Sequence, residues 1–297
     1  MQLTRHADAN ATLCALIEPL ALRQGFVDTH LPQVQVLSWS HYVASSPQIY
    51  EPSLMILAQG SKLARLGPRT LEYGAGHYLV QALSVPFMCE TFATEDEPLL
   101  GVSVAIDRAV LTELVQSMGL SPDRAVAAQT PESMTSAALD APMRESVERL
   151  LRCLQDPLES RVMGAARVRE VLYVALRGPQ AGVLRALVEQ QGHFARIAAS
   201  LSHLREHYAE PLSVEALAGC ANMSASTFHE HFKRCTLLSP IQYLKRLRLL
   251  KAQQMLIGEG LGVAQVAHRV GYQSTSQFSR EYKRHFERSP GQEHPYL

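Results

Sequence analysis

The chain has 297 residues, 46% of them hydrophobic, and its 28 Lys and Arg are balanced by 28 Asp and Glu. That length accommodates two domains at roughly 100–200 residues each, and the composition excludes a disordered or collagen-like chain. Apolar stretches fall short of the roughly 18 uncharged residues that span a bilayer. The first twenty residues carry His6, Asp8 and Glu18 within a helical apolar rhythm, which is unlike a secretory signal. Cys14, Cys89, Cys153, Cys220 and Cys235 are odd in number and form no CxxC pair, so reduced thiols in a cytoplasmic protein are expected.

In chain order, residues 9–24 have helical apolar spacing up to Pro19. A different rhythm follows: VQVLSW, SLMILAQG, KLARLG, RTLEYG, HYLVQAL, FMCETFA and LLGVSVAID are short apolar or alternating runs, separated by Gly60, Gly67-Pro68, Gly74, Gly76, Pro86 and Pro98. This predicts an antiparallel sheet, as a small barrel or half-barrel, ending near Asp107. Asp107 is placed to cap a helix over 108–118. PMRESVERLLRCL, ESRVMGAARVREVLYVALRG and AGVLRALVEQ then read as amphipathic helices. Leu150, Leu151 and Leu154, with Val168, Val171, Leu172 and Leu176, form apolar stripes on the first two, taken as candidate dimerisation surfaces. A domain boundary is expected at 190–205, where the charge changes sign. From Arg205 to Leu297 there are 12 Lys and Arg against 8 Asp and Glu, while residues 1–204 have 16 against 20. A basic tail on an acidic body suits an anionic partner.

The tail contains an internal repeat. FHEHFKRCTLLSP (228–240) and FSREYKRHFERSP (278–290) match at a spacing of 50, and VEALAGCANMS (214–224) and VAQVAHRVGYQS (263–274) at a spacing of 49. Each copy has small residues on a first helix, then a tight turn at Asn222 or Gly271, where a left-handed backbone is tolerated. Ser224 or Ser274 caps a second helix. Phe228/Phe232 and Phe278/Tyr282, at i and i+4, bury one face of it, leaving polar groups opposite. That is the logic of a helix-turn-helix, whose second helix fits the major groove. PIQYLKRLRLLKAQQMLI (240–257) reads as one connecting helix of about 27 Å, a length that holds two such helices about one DNA turn apart, roughly 34 Å.

LAGCANMSASTFHEHFK, SPIQYLKRLRLLKAQQML and VAQVAHRVGYQSTSQFSREYKRHFERSP resemble the DNA-binding domain of the AraC/XylS family, over residues 205–293. LPQVQVLSW, EPSLMILAQGSKLARLG and YGAGHYLVQALSVP resemble the N-terminal domain of one AraC subgroup. The resemblance implies an α+β chain. Residues 1–200 would form an effector-sensing and dimerisation domain, with a cupin-like β-barrel over about 30–107 and helices over about 108–200. Residues 201–297 would form an all-α DNA-binding domain of two helix-turn-helix units joined by a long helix. By resemblance, Ser226, His229 and Glu230 on one recognition helix (about 225–235) read bases, and Gln273, Ser276, Gln277 and Arg280 do so on the other (about 275–286). Ser224, Lys233, Arg234, Lys245, Arg246, Ser274, Lys283 and Arg284 are the expected phosphate contacts.

Glu230 stands where many relatives have arginine, and a carboxylate suits a cytosine amino group. Leu238 and Glu287 sit near positions that are commonly small or glycine. The implied partners are double-stranded promoter DNA, RNA polymerase, a small-molecule effector and a second copy of the chain, with no membrane, no cofactor and no enzymatic activity. In the front domain Gln59, Tyr78, Gln81, Met88 and Glu90 are the candidate effector contacts, and Cys89 is a candidate sensor thiol. His77 and Glu90 are too sparse for a cupin metal site, and His229 and His231 on one helix face different ways. Activation by a small molecule is the leading reading, and an effector-independent repressor or a cupin-like enzyme fused to a DNA-binding domain are the alternatives.

Overall fold

The computed structural model describes residues 2–119, 131–189 and 192–293, with side chains from Asn10 onward. The described chain divides into two compact units. The first runs to Gly192 apart from two short segments, Ser46–Ile49 and Val85–Met88, and the second begins at His193.

The first unit opens with helix α1 (Gln2–Ile17). Strands β1 (Gly25–Asp28), β2 (Val34–Trp39), β3 (Val43–Gln48), β4 (Ser53–Gln59), β5 (Ser61–Leu66), β6 (Arg69–Gly74), β7 (His77–Gln81), β8 (Phe87–Phe92) and β9 (Leu99–Ala105) follow. Helix α2 (Arg108–Ser117) is capped by Asp107, whose carboxylate accepts from the Ala109 and Val110 amides, as the sequence predicts. Residues 120–130 lie outside the described part of a region read as helical. Next come β10 (Met134–Ala138), α3 (Ala141–Cys153), α4 (Pro157–Arg177) and α5 (Ala181–Ala186). Asp140 and Asp156 cap α3 and α4 with their side chains.

The expected barrel is not what these strands form. They make two open sheets, β1-β2-β9-β4-β7-β10 and β3-β8-β5-β6, and among the described residues neither closes on itself. The sheets face each other: the Tyr73 hydroxyl of β6 lies 3.7 Å from the Met55 sulfur of β4. Strand structure also extends past Asp107, because β10 pairs antiparallel with β7, Met134 opposite Gln81.

Helix α1 packs on β4 and β9 of the larger sheet and against α3, and the Arg144 guanidinium of α3 donates to the Asn10 amide oxygen of α1 at 2.7 Å. The stripes read as dimerisation surfaces are consumed here. Leu150, Leu151, Leu154, Val168, Val171, Leu172 and Leu176 are all buried within the unit, because α3 and α4 pack on each other. The helix face left outside by α4 carries Leu158, Val162 and Tyr173 instead.

The space between the sheets holds an unusual cation. Lys62 is 1% exposed, and its ammonium lies 4.2 Å from the Trp39 ring centre and 5.5 Å from that of Tyr50. Burial pushes its pKa down from 10.5 to about 8. The folded state therefore gives up this proton more readily than the unfolded chain. The penalty for burying the charge is fully present below pH 8 and disappears as pH rises from 8 to 10.5, where the unfolded state holds the extra proton. Lys62→Met is thus expected to stabilise the protein by about 1–3 kcal/mol at pH 7. In thermal melts the gap to the native chain should narrow between pH 8 and 10.5. An unchanged or lower melting temperature at pH 7 would contradict that account.

Candidate nucleic-acid interface

The second unit contains α6 (His193–Glu206), α7 (Val214–Cys220), α8 (Ala225–Thr236), α9 (Pro240–Gly258), α10 (Val263–Arg269) and α11 (Thr275–Phe286). The repeat seen in the sequence is a repeat in space. The turn after α7 holds Asn222 at φ 51°, and the turn after α10 holds Gly271 at φ 87°. In both copies the next amide reaches back across the turn, Met223 to the Ala218 carbonyl at 3.0 Å and Tyr272 to the Ala267 carbonyl at 2.9 Å. This closes the first helix and aims the second. Ser224 and Ser274 then cap α8 and α11, each hydroxyl accepting an amide three residues on at 3.3 Å.

Aromatic pairs bury one face of each second helix. Phe228 and Phe232 are fully buried with ring centres 5.3 Å apart, and Phe232 packs edge-on against Tyr243 of α9. Phe278 and Tyr282 repeat the arrangement at 5.4 Å, inside a core with Leu249, Ala252, Leu256, Val266 and Val270. Burying such side chains contributes about 2–3 kcal/mol each, which makes these faces the anchors and the opposite faces free. Ser226, His229, Glu230 and Lys233 on α8 are exposed, as are Gln273, Ser276, Gln277, Arg280, Lys283 and Arg284 around α11. His231 points elsewhere, stacked at 3.8 Å on His193 of α6.

The basic residues divide into two groups. Among the described residues, no carboxylate lies within ion-pair distance of Lys233, Arg246, Arg280, Lys283 or Arg284. Arg234 instead pairs with Glu230 at 2.6 Å, and Lys245 with Glu281 at 2.9 Å.

Sequence reasoning missed Glu281. Its carboxylate accepts from Lys245, Tyr272 and Gln277, tying α9, the turn and α11 together, and these bonds hold its pKa below the usual carboxylate value despite partial burial. Arg248 was also missed, since nothing distinguishes it within the basic run LKRLRLL. Its guanidinium donates to the carbonyls of Tyr208 at 2.7 Å, Gly271 at 3.1 Å and Glu210 at 2.9 Å.

Each second helix ends on a non-glycine residue in the left-handed conformation, Leu237 at φ 60° and Glu287 at φ 62°. For the first copy the strained position is thus Leu237 rather than Leu238, which is buried. Leu237→Gly and Glu287→Gly are each expected to raise stability by about 1 kcal/mol, read as a higher denaturation midpoint.

The front-unit candidates do not converge, because successive strand side chains point to opposite faces. Gln81 faces the inter-sheet space, donating to the Tyr50 carbonyl at 3.1 Å. Tyr78, three residues earlier, faces the helices instead, and a Cβ added at Gly178 would meet its hydroxyl at 2.9 Å. Gln59 takes the Cys14 thiol at 3.7 Å. Met88 is exposed, and Glu90 lies on the outer face, bound by Tyr42 at 2.6 Å and Arg65 at 3.3 Å. Cys89 points inward near Tyr50, and burial raises its thiol pKa, which keeps it protonated.

The family model of the AraC-type transcriptional regulator N-terminus matches residues 30–183, and a helix-turn-helix domain model matches residues 217–293. The first match alone spans more than half of the chain. This chain belongs to the AraC-type transcriptional regulators. Curated relatives of this AraC-type chain include the HTH-type transcriptional activator RhaS of Enterobacter sp. (strain 638), 36% identical over 96 residues, 32% of this chain and 34% of that protein. The RhaS of Salmonella schwarzengrund (strain CVM19633) is 31% identical over 149 residues, 49% of this chain and 52% of that protein. The matched stretches thus cover between a third and about half of those relatives. Among solved structures, unsaturated fatty acid-bound ToxT from Vibrio cholerae strain SCE256 superposes with a TM-score of 0.55 at 11% identity, over 86% of this chain and 92% of that one. Likeness at that identity speaks for the fold alone. No helix of the described residues is long and apolar enough to cross a membrane.

Proposed function

We infer that this protein activates transcription in the cytoplasm by inserting α8 and α11 into successive major grooves of promoter DNA, under the control of a small molecule sensed by the first unit. The observation that carries this is the duplicated geometry. Two capped helices with exposed polar faces are joined by α9, whose 19 residues span about 28 Å. Ser226, His229 and Glu230 read one half-site, and Gln273, Ser276, Gln277 and Arg280 the other. Lys233, Arg246, Lys283 and Arg284 contact phosphates, with Ser224 and Ser274 at helix N-termini that favour anions. Lys245 and Arg234 can join them only by leaving Glu281 and Glu230.

RNA polymerase is the partner that activation requires. A second copy of the chain would double the half-sites and raise affinity by avidity, and the exposed Leu158, Val162 and Tyr173 of α4 offer it an apolar surface.

Arg280 and Lys283 separate the two kinds of contact. Arg280→Ala is expected to cost about 1–3 kcal/mol on the selected operator and to relax preference at one base pair. Lys283→Ala should weaken every sequence alike and reduce the salt dependence by about one phosphate. Binding selections on randomised duplexes, followed by salt titrations, measure both. A sequence-selective loss for Lys283→Ala, or unchanged selectivity for Arg280→Ala, would overturn these assignments.

A further inference from the structure

We propose that the inter-sheet space of the first unit is a recognition site for a small organic anion, with Lys62 as its counter-charge and the side-chain oxygen of Gln81 accepting a hydrogen bond from the same molecule. This rests on the effector-sensing reading above and supplies the chemical class of the effector.

Two observations carry it independently. The first is Lys62 itself. Its ammonium is enclosed by the rings of Trp39 at 4.2 Å, Tyr50 at 5.5 Å and Phe26 at 5.7 Å, and it donates to the Tyr50 hydroxyl at a long 3.4 Å. Among the described residues no carboxylate lies within ion-pair distance of it. Buried charges are ordinarily paired. Aromatic faces compensate only part of the lost hydration, and an ammonium has three donors to satisfy. The second is Gln81, which is fully buried and whose Oε1 has no hydrogen-bond partner. Its amide nitrogen is already committed to the Tyr50 carbonyl, which also accepts from Ser84 at 2.7 Å. The free oxygen is therefore fixed in place and needs a donor.

Tyr50 links the two groups, since Lys62 reaches its hydroxyl and Gln81 its carbonyl. The site thus asks for a negative group at one end of a tyrosine-sized span and a donor at the other, with apolar surface between. A hydroxy acid has that pattern. The neighbouring Cys89 thiol is kept protonated by burial, so it does not supply the missing negative charge.

Trp39 is the single tryptophan of the chain, so its emission reports on this site directly. The test titrates the full-length protein at pH 7 with 6-hydroxyhexanoate, hexanoate and 6-hydroxyhexanamide, and repeats each titration with Lys62→Met. The expected result is saturable perturbation of Trp39 by the hydroxy acid, at least tenfold weaker with the neutral amide and severalfold weaker with hexanoate. The response should be lost in Lys62→Met while its circular dichroism and DNA binding are kept. Equal responses to acid and amide, equal responses of the two proteins, or no response of the native protein up to 10 mM would overturn the site. Gel shifts run in parallel keep the broader reading distinct. Saturable Trp39 perturbation without altered operator binding supports the site and removes the effector role, whereas intact operator binding without perturbation removes the site and leaves the regulator.

Discussion

Replacing Gly271 by alanine is expected to cost the second unit about 2–5 kcal/mol and to abolish sequence-selective DNA binding. The turn holds this residue at φ 87°, where an L side chain is strained by about 1–2 kcal/mol. The added Cβ would overlap the Ala209 carbonyl oxygen and lie 2.9 Å from both the Ala209 carbonyl carbon and the Arg248 guanidinium. Those neighbours are backbone and a bonded arginine, so relief requires moving the turn, at about 1–3 kcal/mol more. The corresponding residue of the first copy is Asn222 at φ 51°, a side chain that tolerates this conformation. Asn222→Gly should therefore stay within about 0.5 kcal/mol of the native chain. Denaturation followed by far-ultraviolet circular dichroism compares the two. A Gly271→Ala protein as stable as Asn222→Gly would contradict the account of the turn.

Arg248→Ala is the second large effect, with an expected loss of about 3 kcal/mol. Its guanidinium serves three carbonyls, those of Tyr208, Glu210 and Gly271, which lie on either side of the first helix-turn-helix in sequence. A hydrogen bond to a charged group contributes about 1.5–3 kcal/mol, and three that share one donor group are not additive. Lysine cannot reproduce the planar fork, so Arg248→Lys should recover little. Because Arg248 anchors the turn that aims α11, contacts by the second recognition helix should be lost before those of α8. Retention of both sets of contacts in Arg248→Ala would contradict this role.

The helical tail was legible because its signals are local. Caps at Ser224 and Ser274, the aromatic pairs and the turn residues Asn222 and Gly271 all lie within a few positions of the helices they define. The connecting helix read as 240–257 is observed as Pro240–Gly258. The central strands were equally visible, since both faces of β4 and β9 are buried and their runs are continuously apolar. The three strands that escaped notice, β1, β3 and β10, are edges of their sheets. Edge strands are short and polar, and β3 carries Pro47, which an edge tolerates. Closure into a barrel depends on whether edges pair, and no local pattern records that. Strand parity likewise decided the front-unit candidates, putting Gln81 between the sheets and Glu90 and Met88 outside. Lys62 was overlooked because a lysine inside KLARLG reads as a solvent-facing residue until the opposite sheet is present. Arg248 and Glu281 act through contacts distant in sequence, which spacing does not reveal.

In the function proposed above, α8 and α11 enter successive major grooves on one face of promoter DNA. Methylation interference at guanine N7, with the purified protein on a duplex from its own promoter region, tests it most directly. The predicted result is two clusters of interference about 10–10.5 base pairs apart, with Arg280→Ala erasing contacts in one cluster and Glu230→Ala altering the other. A single cluster, or interference spread evenly along unrelated duplexes, would contradict it.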